Sequence, residues 1–435
     1  MEITQQPTKK SRLTLYILIG MVLGIIVGYL VNKNYSPETR KVFADNIKLL
    51  TTIFLRLVQM IIAPIVFSTL VVGIAKLGDM KTVGRVGGKA MLWFITASLV
   101  SLGLGLILVN IFQPGLHANI SNGDVEGVKD LLEKSKGFSV AKFVEHVVPR
   151  SVVEAMANNE ILQLVVFSVF FGIGLTAIGK KGEPIINALD SLTHVVLKMV
   201  GYVMYLAPLG VFGAMAGTVA KNGMGILSSF GKYVGSFYIS LLVLWLLLLL
   251  VGYLILKNRL PHLLRRIASP MSIAFSTASS EAVYPKLVEE MERFGCKNKI
   301  VSFVLPLGYS FNLDGSMMYM TFASMFIAQA FNITSLTGDV GQQIIMLLVF
   351  LVTSKGIAGV PRASLVVVLA TGPMFMKQLT VEEGIAAILA VDVFCDMGRT
   401  MTNVLGNALA TAAVSKWEGA LAHAPHHEDH NTQKG

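Results

Sequence analysis

Six apolar runs, each long enough to cross a bilayer, fill most of the first 256 residues, at roughly 13–32, 49–75, 88–113, 160–178, 195–220 and 233–256. A helix needs about 20 such residues to span the hydrocarbon core. Lipid offers no partner to an open backbone, so a run of this length crosses as a helix. The chain is 54% hydrophobic and only 14% charged, against about 25% charged in a soluble domain. These features define an all-α polytopic membrane protein.

The net charge of +10 is no nucleic-acid signature, because the bases sit in short loops between the apolar runs. Lys9, Lys10 and Arg12 precede the first run, Lys76, Lys81, Arg85 and Lys89 follow the second, and Lys180 and Lys181 follow the fourth. Lys257, Arg259, Arg265 and Arg266 follow the sixth. By the positive-inside rule these mark the cytoplasmic face, with segment 114–150 outside and both termini cytoplasmic. The two cysteines, Cys296 and Cys395, give no disulfide framework, and Cys395 is read as packing. The polar Met1–Lys10 stretch leads into a full-length span, and no cleaved signal is expected. Four histidines between His423 and His430 are read as a solvated tail rather than a metal site.

After residue 256 the apolar runs shorten and polar interruptions appear: Ser276-Thr-Ala-Ser-Ser-Glu281, Asn312-Leu-Asp-Gly-Ser316 and Thr353-Ser-Lys-Gly-Ile-Ala-Gly-Val-Pro361. Irregular backbone at membrane depth survives only against protein or a water-filled cavity. Short, Gly/Pro-broken segments paired across a chain point to a transporter's substrate site. The order is hairpin-like segment, broken helix, hairpin-like segment, polar helix.

That last helix carries Asp392, Asp396, Arg399, Asn403 and Asn407. At about 100° per residue, all five fall within roughly 80° of one face. An intramembrane charge costs at least ~2.5–3.5 kcal/mol, so these groups face a cavity or each other. A structural Asp–Arg pair is the alternative. The Arg399 guanidinium presents a planar fork suited to a carboxylate, and Asp396 offers the opposite charge for an ammonium. Together they suit an acidic amino acid, whereas a simple dicarboxylate meets repulsion from Asp396. Asp392, one turn back, is placed to orient Arg399. The break at Asn312–Gly315 offers carbonyls and the Asp314 carboxylate to a monovalent cation, with Gly315 permitting the irregular dihedrals; a capped kink is the other reading. Ser276, Thr277, Ser279 and Ser280 offer hydroxyls and amides at a hairpin tip, where an ordinary polar loop would look alike. Glu281 is a titratable group beside them. Gly356, Gly359 and Pro361 make a flexible tip suited to a lid, and Lys355 and Arg362 beside it are expected to face water.

In combination, Ser-Thr-Ala-Ser-Ser-Glu (276–281), Asn-Leu-Asp-Gly-Ser (312–316), Ser-Lys-Gly-Ile-Ala-Gly-Val-Pro (354–361) and Asp-Met-Gly-Arg-Thr-Met-Thr-Asn (396–403) closely resemble the glutamate transporter family, the dicarboxylate/amino acid:cation symporters. The resemblance runs from the first span to Trp417. It implies eight transmembrane helices plus two re-entrant helical hairpins (about 260–296 and 340–378), an elevator-type fold and a homotrimer in a bacterial inner membrane. Residues 13–75 and 140–222 would form the scaffold of spans one, two, four and five. Residues 86–113 and 230–417 would form the transport domain of spans three, six, seven and eight plus the hairpins, leaving 418–435 as a cytoplasmic tail.

Carried over residue by residue, Arg399 reads the side-chain carboxylate and Asp396 the amino group of L-glutamate or L-aspartate. Ser279, Ser280, Ser316, Val360, Thr400 and Asn403 supply the remaining contacts. Cation coupling falls to Glu281, Gly308, Ser310, Asn312, Asp314, Ser98 and Asn407, and no other cofactor is implied. Sodium-driven members keep an aspartate where this chain has Asn407, and a tyrosine and a threonine where Phe94 and Ala97 stand. Met320 stands where some relatives have a protonatable glutamate. The resemblance therefore implies proton symport, with Glu281 or Asp314 as carrier and a residual sodium site at Asn312 and Asp314 as the alternative. A C4-dicarboxylate symporter and an anion channel remain open as other readings. No catalytic Ser–His pair, metal-ligand cluster or nucleotide loop appears in the spans, so no enzyme is expected.

Overall fold

The structure, a computed structural model, describes residues 13–77, 80–116, 118, 147–223, 230–354, 362–389 and 391–422. Its described regular elements are helices: α1 (Leu13–Asn34), α2 (Pro37–Leu77), α3 (Met80–Phe112), α4 (Val152–Ala157), α5 (Ile161–Ile178), α6 (Glu183–Met204), α7 (Ala207–Asn222), α8 (Gly231–Leu256), α9 (Leu260–Thr277), α10 (Tyr284–Phe294), α11 (Asn298–Phe311), α12 (Asp314–Ala330), α13 (Thr334–Thr337), α14 (Val340–Thr353), α15 (Ala363–Thr371), α16 (Gln378–Leu389) and α17 (Asp392–Trp417). Five described stretches are long and apolar enough to cross a membrane: Leu15–Asn34, Pro37–Ala75, Lys81–Phe112, Ile161–Met204 and Gly231–Thr277.

Two boundaries depart from the hydropathy reading. Helix α2 begins twelve residues before the apolar run at 49, because Pro37 is pre-set for a first helical turn and the Ser36 hydroxyl accepts from the Thr39 amide at 3.4 Å. The expected span at 195–220 is two helices, α6 and α7, parted at Tyr205–Leu206 just before Pro208. Proline disfavours helical geometry in the residue before it and tolerates only the first turn of a new helix.

Helix α7 lies between α1 and α2 on glycine faces. A Cβ built on Gly20, Gly24 or Gly28 of α1 would stand 2.6, 2.7 and 2.8 Å from the carbonyl oxygens of Pro208, Phe212 and Ala216. On the other side, Gly210 and Gly213 of α7 receive the Phe54 ring and the Ile47 carbonyl of α2. Lipid supplies no hydrophobic drive between helices, so such close backbone approach and its dispersion contacts hold them.

Helix α17 is the axis of a second group. It packs against α3, α8, α9, α11 and α12, while α3 also lies along α12. Helices α9 and α10 form the expected first hairpin, its tip turned by Ala278 at φ +50°. Between α11 and α12 the chain leaves helical geometry at Asn312 (φ −120°, ψ 68°) and Leu313 (φ −104°, ψ 60°), where a break was expected. Gly315 does not supply it. It lies inside α12, where its missing Cβ admits the Arg399 backbone. The arms of the second hairpin are α14 and α15; its tip, including Val360, lies outside the described residues, as do most of segment 114–150 and the histidine tail. The groups meet where α2 touches α11 and where α1 and α7 touch α9.

Beyond the end of α17, Glu418 bonds Arg85 at 2.8 Å and Lys89 at 2.7 Å, fastening that end to α3. The bond from Arg85 first, then that from Lys89, holds its carboxyl below the usual range.

Replacing Gly24 by leucine should overpack the α1–α7 contact at a cost of ~1–3 kcal/mol. The expected outcome is a lower unfolding temperature in detergent than for Gly88→Ala, whose added methyl meets nothing within 4 Å.

Candidate functional site

The face of α17 predicted to be polar opens on a cavity of about 300 Å³. Asp396, Arg399, Thr400 and Asn403 form one wall, and residues 277–281 at the first hairpin tip form another. Tyr309, Ser310, Leu313 and Ser316 come from the ends of the broken helix, and Arg362 and Ser364 from the start of α15. Leu55 and Gln59 of α2, with Asn159 and Ile161, close it from the other helix group.

Arg399 is only 3% exposed. Its Nε donates to Asp396 Oδ1 at 2.7 Å, and Thr400 Oγ1 donates to the same oxygen at 3.1 Å. The guanidinium lies 4.7 Å from the centre of the Tyr319 ring, a cation–π contact. Its Nη1 has no hydrogen-bond partner among the described residues. The site therefore holds a desolvated cation, fixed by one acid and one ring, with a donor in reserve.

Asp392 is fully buried but makes no ion pair with Arg399. Its Oδ1 accepts from Tyr319 OH at 2.6 Å, and its Oδ2 lies 3.5 Å from Nε of Arg362. Tyr319 touches both residues, its hydroxyl on Asp392 and its ring facing Arg399. Arg362, expected to face water, turns instead to the cavity.

Asn403 spans the break. Its Oδ1 accepts from the amides of Gly315 (2.9 Å) and Ser316 (3.3 Å), and its Nδ2 donates to Ser316 Oγ at 3.0 Å. It thus satisfies two of the amides left open at the start of α12. Of the four hairpin hydroxyls, Ser276 and Thr277 donate back to the carbonyls of Ser272 and Ile273. Ser279 Oγ accepts from the Ala282 amide at 3.3 Å, and the Ser280 carbonyl accepts from Tyr309 OH at 3.0 Å.

The residues expected to handle a cation divide in two. Glu281 and Ser310 line the cavity. Asn312, Asp314 and Asn407 form a buried cluster, with Asn312 Nδ2 donating to Asp314 Oδ2 at 3.3 Å and to Asn407 Oδ1 at 3.2 Å. The Gly308 backbone lies against the Asn407 amide, and Gly406 against Asp314 Oδ2, too closely for a side chain at either glycine. Ser98 of α3 donates to the Phe311 carbonyl at 3.4 Å, beside the same break. The oxygens Ser310 Oγ and Asn312 Oδ1 are buried without a hydrogen-bond partner among the described residues. A helix break with spare oxygens beside a carboxylate suits a hard monovalent cation or a proton.

Sequence reasoning missed Tyr319, Gln59 and Asn159. Nothing in the linear pattern separates Tyr319 from its apolar neighbours, and the other two belong to the opposite helix group.

A model of the sodium:dicarboxylate symporter family matches residues 13–417. The C4-dicarboxylate transport protein of Rhizobium etli is 40% identical over 415 residues, 94% of this chain and 90% of the relative. That of Bacillus subtilis is 38% identical over 417 residues, covering 95% of each. The proton/sodium-glutamate symport protein of Geobacillus stearothermophilus is 40% identical over 415 residues, 94% of this chain and 96% of the relative. A polar cavity built on broken helices, in a chain with several membrane-length apolar helices, fits what these proteins are named for. The chain belongs to the sodium:dicarboxylate symporter family and is an integral membrane transport protein.

Proposed function

We propose that the protein imports acidic amino acids, L-glutamate or L-aspartate, together with protons. The observation that carries this reading is the Asp396–Arg399 pair on the cavity wall. The Arg399 guanidinium, whose buried Nη1 has no partner among the described residues, meets a side-chain carboxylate, and Asp396 meets the ammonium. A guest lacking the ammonium would bring its second carboxylate up to Asp396. Ser279, Ser280, Ser316, Thr400 and Asn403 surround the same space. Val360 is proposed as a backbone contact from the family resemblance alone.

Coupling is assigned to protons because Asn407 stands in the buried cluster where an aspartate would add a second anion beside Asp314. Glu281, on the cavity wall, or Asp314 carries the proton. Transport then follows an elevator scheme within a homotrimer: α1, α2, α5, α6 and α7 stay fixed while α17, its neighbours and both hairpins carry the substrate across.

A C4-dicarboxylate is the second reading, favoured by the names of the Rhizobium etli and Bacillus subtilis relatives. The two part on competition in proteoliposomes, where excess succinate should leave glutamate uptake nearly unchanged. Strong inhibition by succinate, with weak uptake of glutamate, overturns the amino acid assignment.

Arg399→Gln should raise the glutamate KM at least ~30-fold, since truncating one side of a buried charged contact costs about 2–5 kcal/mol. Asp396→Ser should weaken glutamate and strengthen succinate. An imposed pH gradient without sodium should drive accumulation of glutamate; an absolute need for sodium overturns the coupling assignment. Gly406→Ala should push the Asp314 carboxylate out of its place and cut gradient-driven uptake at least tenfold, measured at equal amounts of inserted protein.

A further inference from the structure

Among the described residues, the charged side chains lining the cavity are two acids, Glu281 and Asp396, and two bases, Arg362 and Arg399. The proposed function uses only one of the bases. Without Arg362 the walls would carry one more negative charge than positive, in a chamber meant for an anion. Buried Asp392, which touches Arg362, would deepen that imbalance.

Arg362 is held loosely. Its side chain is 36% exposed, and its one ion contact among the described residues is the 3.5 Å approach of Nε to Asp392 Oδ2. That distance is too long for a good hydrogen bond, and among the described residues the guanidinium makes none. Its partner is anchored elsewhere: Asp392 is held on Oδ1 by Tyr319. The backbone of Arg362 is left-handed (φ +60°, ψ 30°), and its carbonyl accepts from the Leu365 amide at 2.9 Å in the first turn of α15. The residue therefore launches its side chain from a fixed point at the start of a helix along the cavity wall, past Asp392.

An acidic amino acid carries two carboxylates and one ammonium. The Arg399 guanidinium, whose buried Nη1 has no partner among the described residues, accounts for one carboxylate, and Asp396 for the ammonium. The second carboxylate is left to the remaining groups on the walls, where Arg362 carries the other positive charge among the described residues. We infer that Arg362 is a specificity-determining residue that leaves Asp392 to hold the α-carboxylate of the substrate. This rests on the acidic amino acid reading above. A planar guanidinium can grip a carboxylate by two parallel bonds, which a lysine cannot reproduce.

A purely structural role, neutralising Asp392, is the competing account, and amidated substrates separate the two. Uptake kinetics in proteoliposomes would be measured for L-glutamate and for L-isoglutamine, whose α-carboxylate is an amide. The wild type should show a KM for isoglutamine at least tenfold above that for glutamate. Arg362→Gln should raise the glutamate KM at least tenfold and leave that of isoglutamine nearly unchanged, so that the ratio collapses. Arg362→Lys should retain part of the discrimination. Arg362→Gln/Asp392→Asn, which removes both charges, should still lack it. Equal rises for both substrates, cured by the double substitution, would overturn the inference while leaving the acidic amino acid reading intact. If Arg362→Gln inserts poorly, ligand-dependent thermal shifts of the purified Arg362→Lys protein read the same ratio, and an undiminished ratio counts against the inference. A wild type that takes up succinate but no glutamate overturns both readings.

Discussion

A guanidinium stripped of water sets the terms for everything around it. Taking such an ion out of water costs several kcal/mol even after the protein relaxes. Arg399 is tolerated where it is because Asp396 holds its Nε, the Tyr319 ring lies under its plane, and Asp392 sits behind that ring. None of these partners works alone. The ring is held by Asp392 through its hydroxyl, and Asp392 in turn lies 3.5 Å from Nε of Arg362. One cation has thus drawn in residues from α12, α15 and α17, and the cavity is the space they leave.

The broken helix solves a related problem. Cutting a helix at membrane depth frees amides and carbonyls that lipid cannot satisfy. Here Asn403 takes two of the freed amides at the start of α12, and Asn312 ties the break to Asn407 and Asp314. Among the described residues, the side-chain oxygens Ser310 Oγ and Asn312 Oδ1 beside the break have no hydrogen-bond partner. The cavity side and the buried-cluster side of the break share α17: Asn403 looks to the cavity and Asn407, one turn on, to Asn312 and Asp314. Any movement of α17 by a fraction of a turn would disturb both.

Much of this was legible in the sequence. The three-to-four-residue spacing of Asp392 through Asn407 put them on one face, and burial of a polar face against a cavity follows from the cost of facing lipid. The break at Asn312 and the first hairpin were likewise legible, because a polar cluster inside an apolar run must turn toward protein or water. What failed was whatever depends on which group meets which across space. Ser276 and Thr277 spend their hydroxyls on their own helix. Gly315 is there for the approach of the Arg399 backbone, not for an unusual dihedral. Arg362 looked like a solvent residue because its partner, Asp392, is 30 positions away. Proline marked the break between α6 and α7, yet the unbroken hydropathy concealed it.

Gln59 and Asn159 reach the chamber from the helix group that does not carry α17. If the groups slide past one another, that corner of the wall is left behind at each crossing. A compact guest resting only on α17 and the first hairpin would ride along. One long enough to press on Gln59 or Asn159 as well would wedge the two groups together. Length alone, with unchanged head-group chemistry, would turn a passenger into a brake.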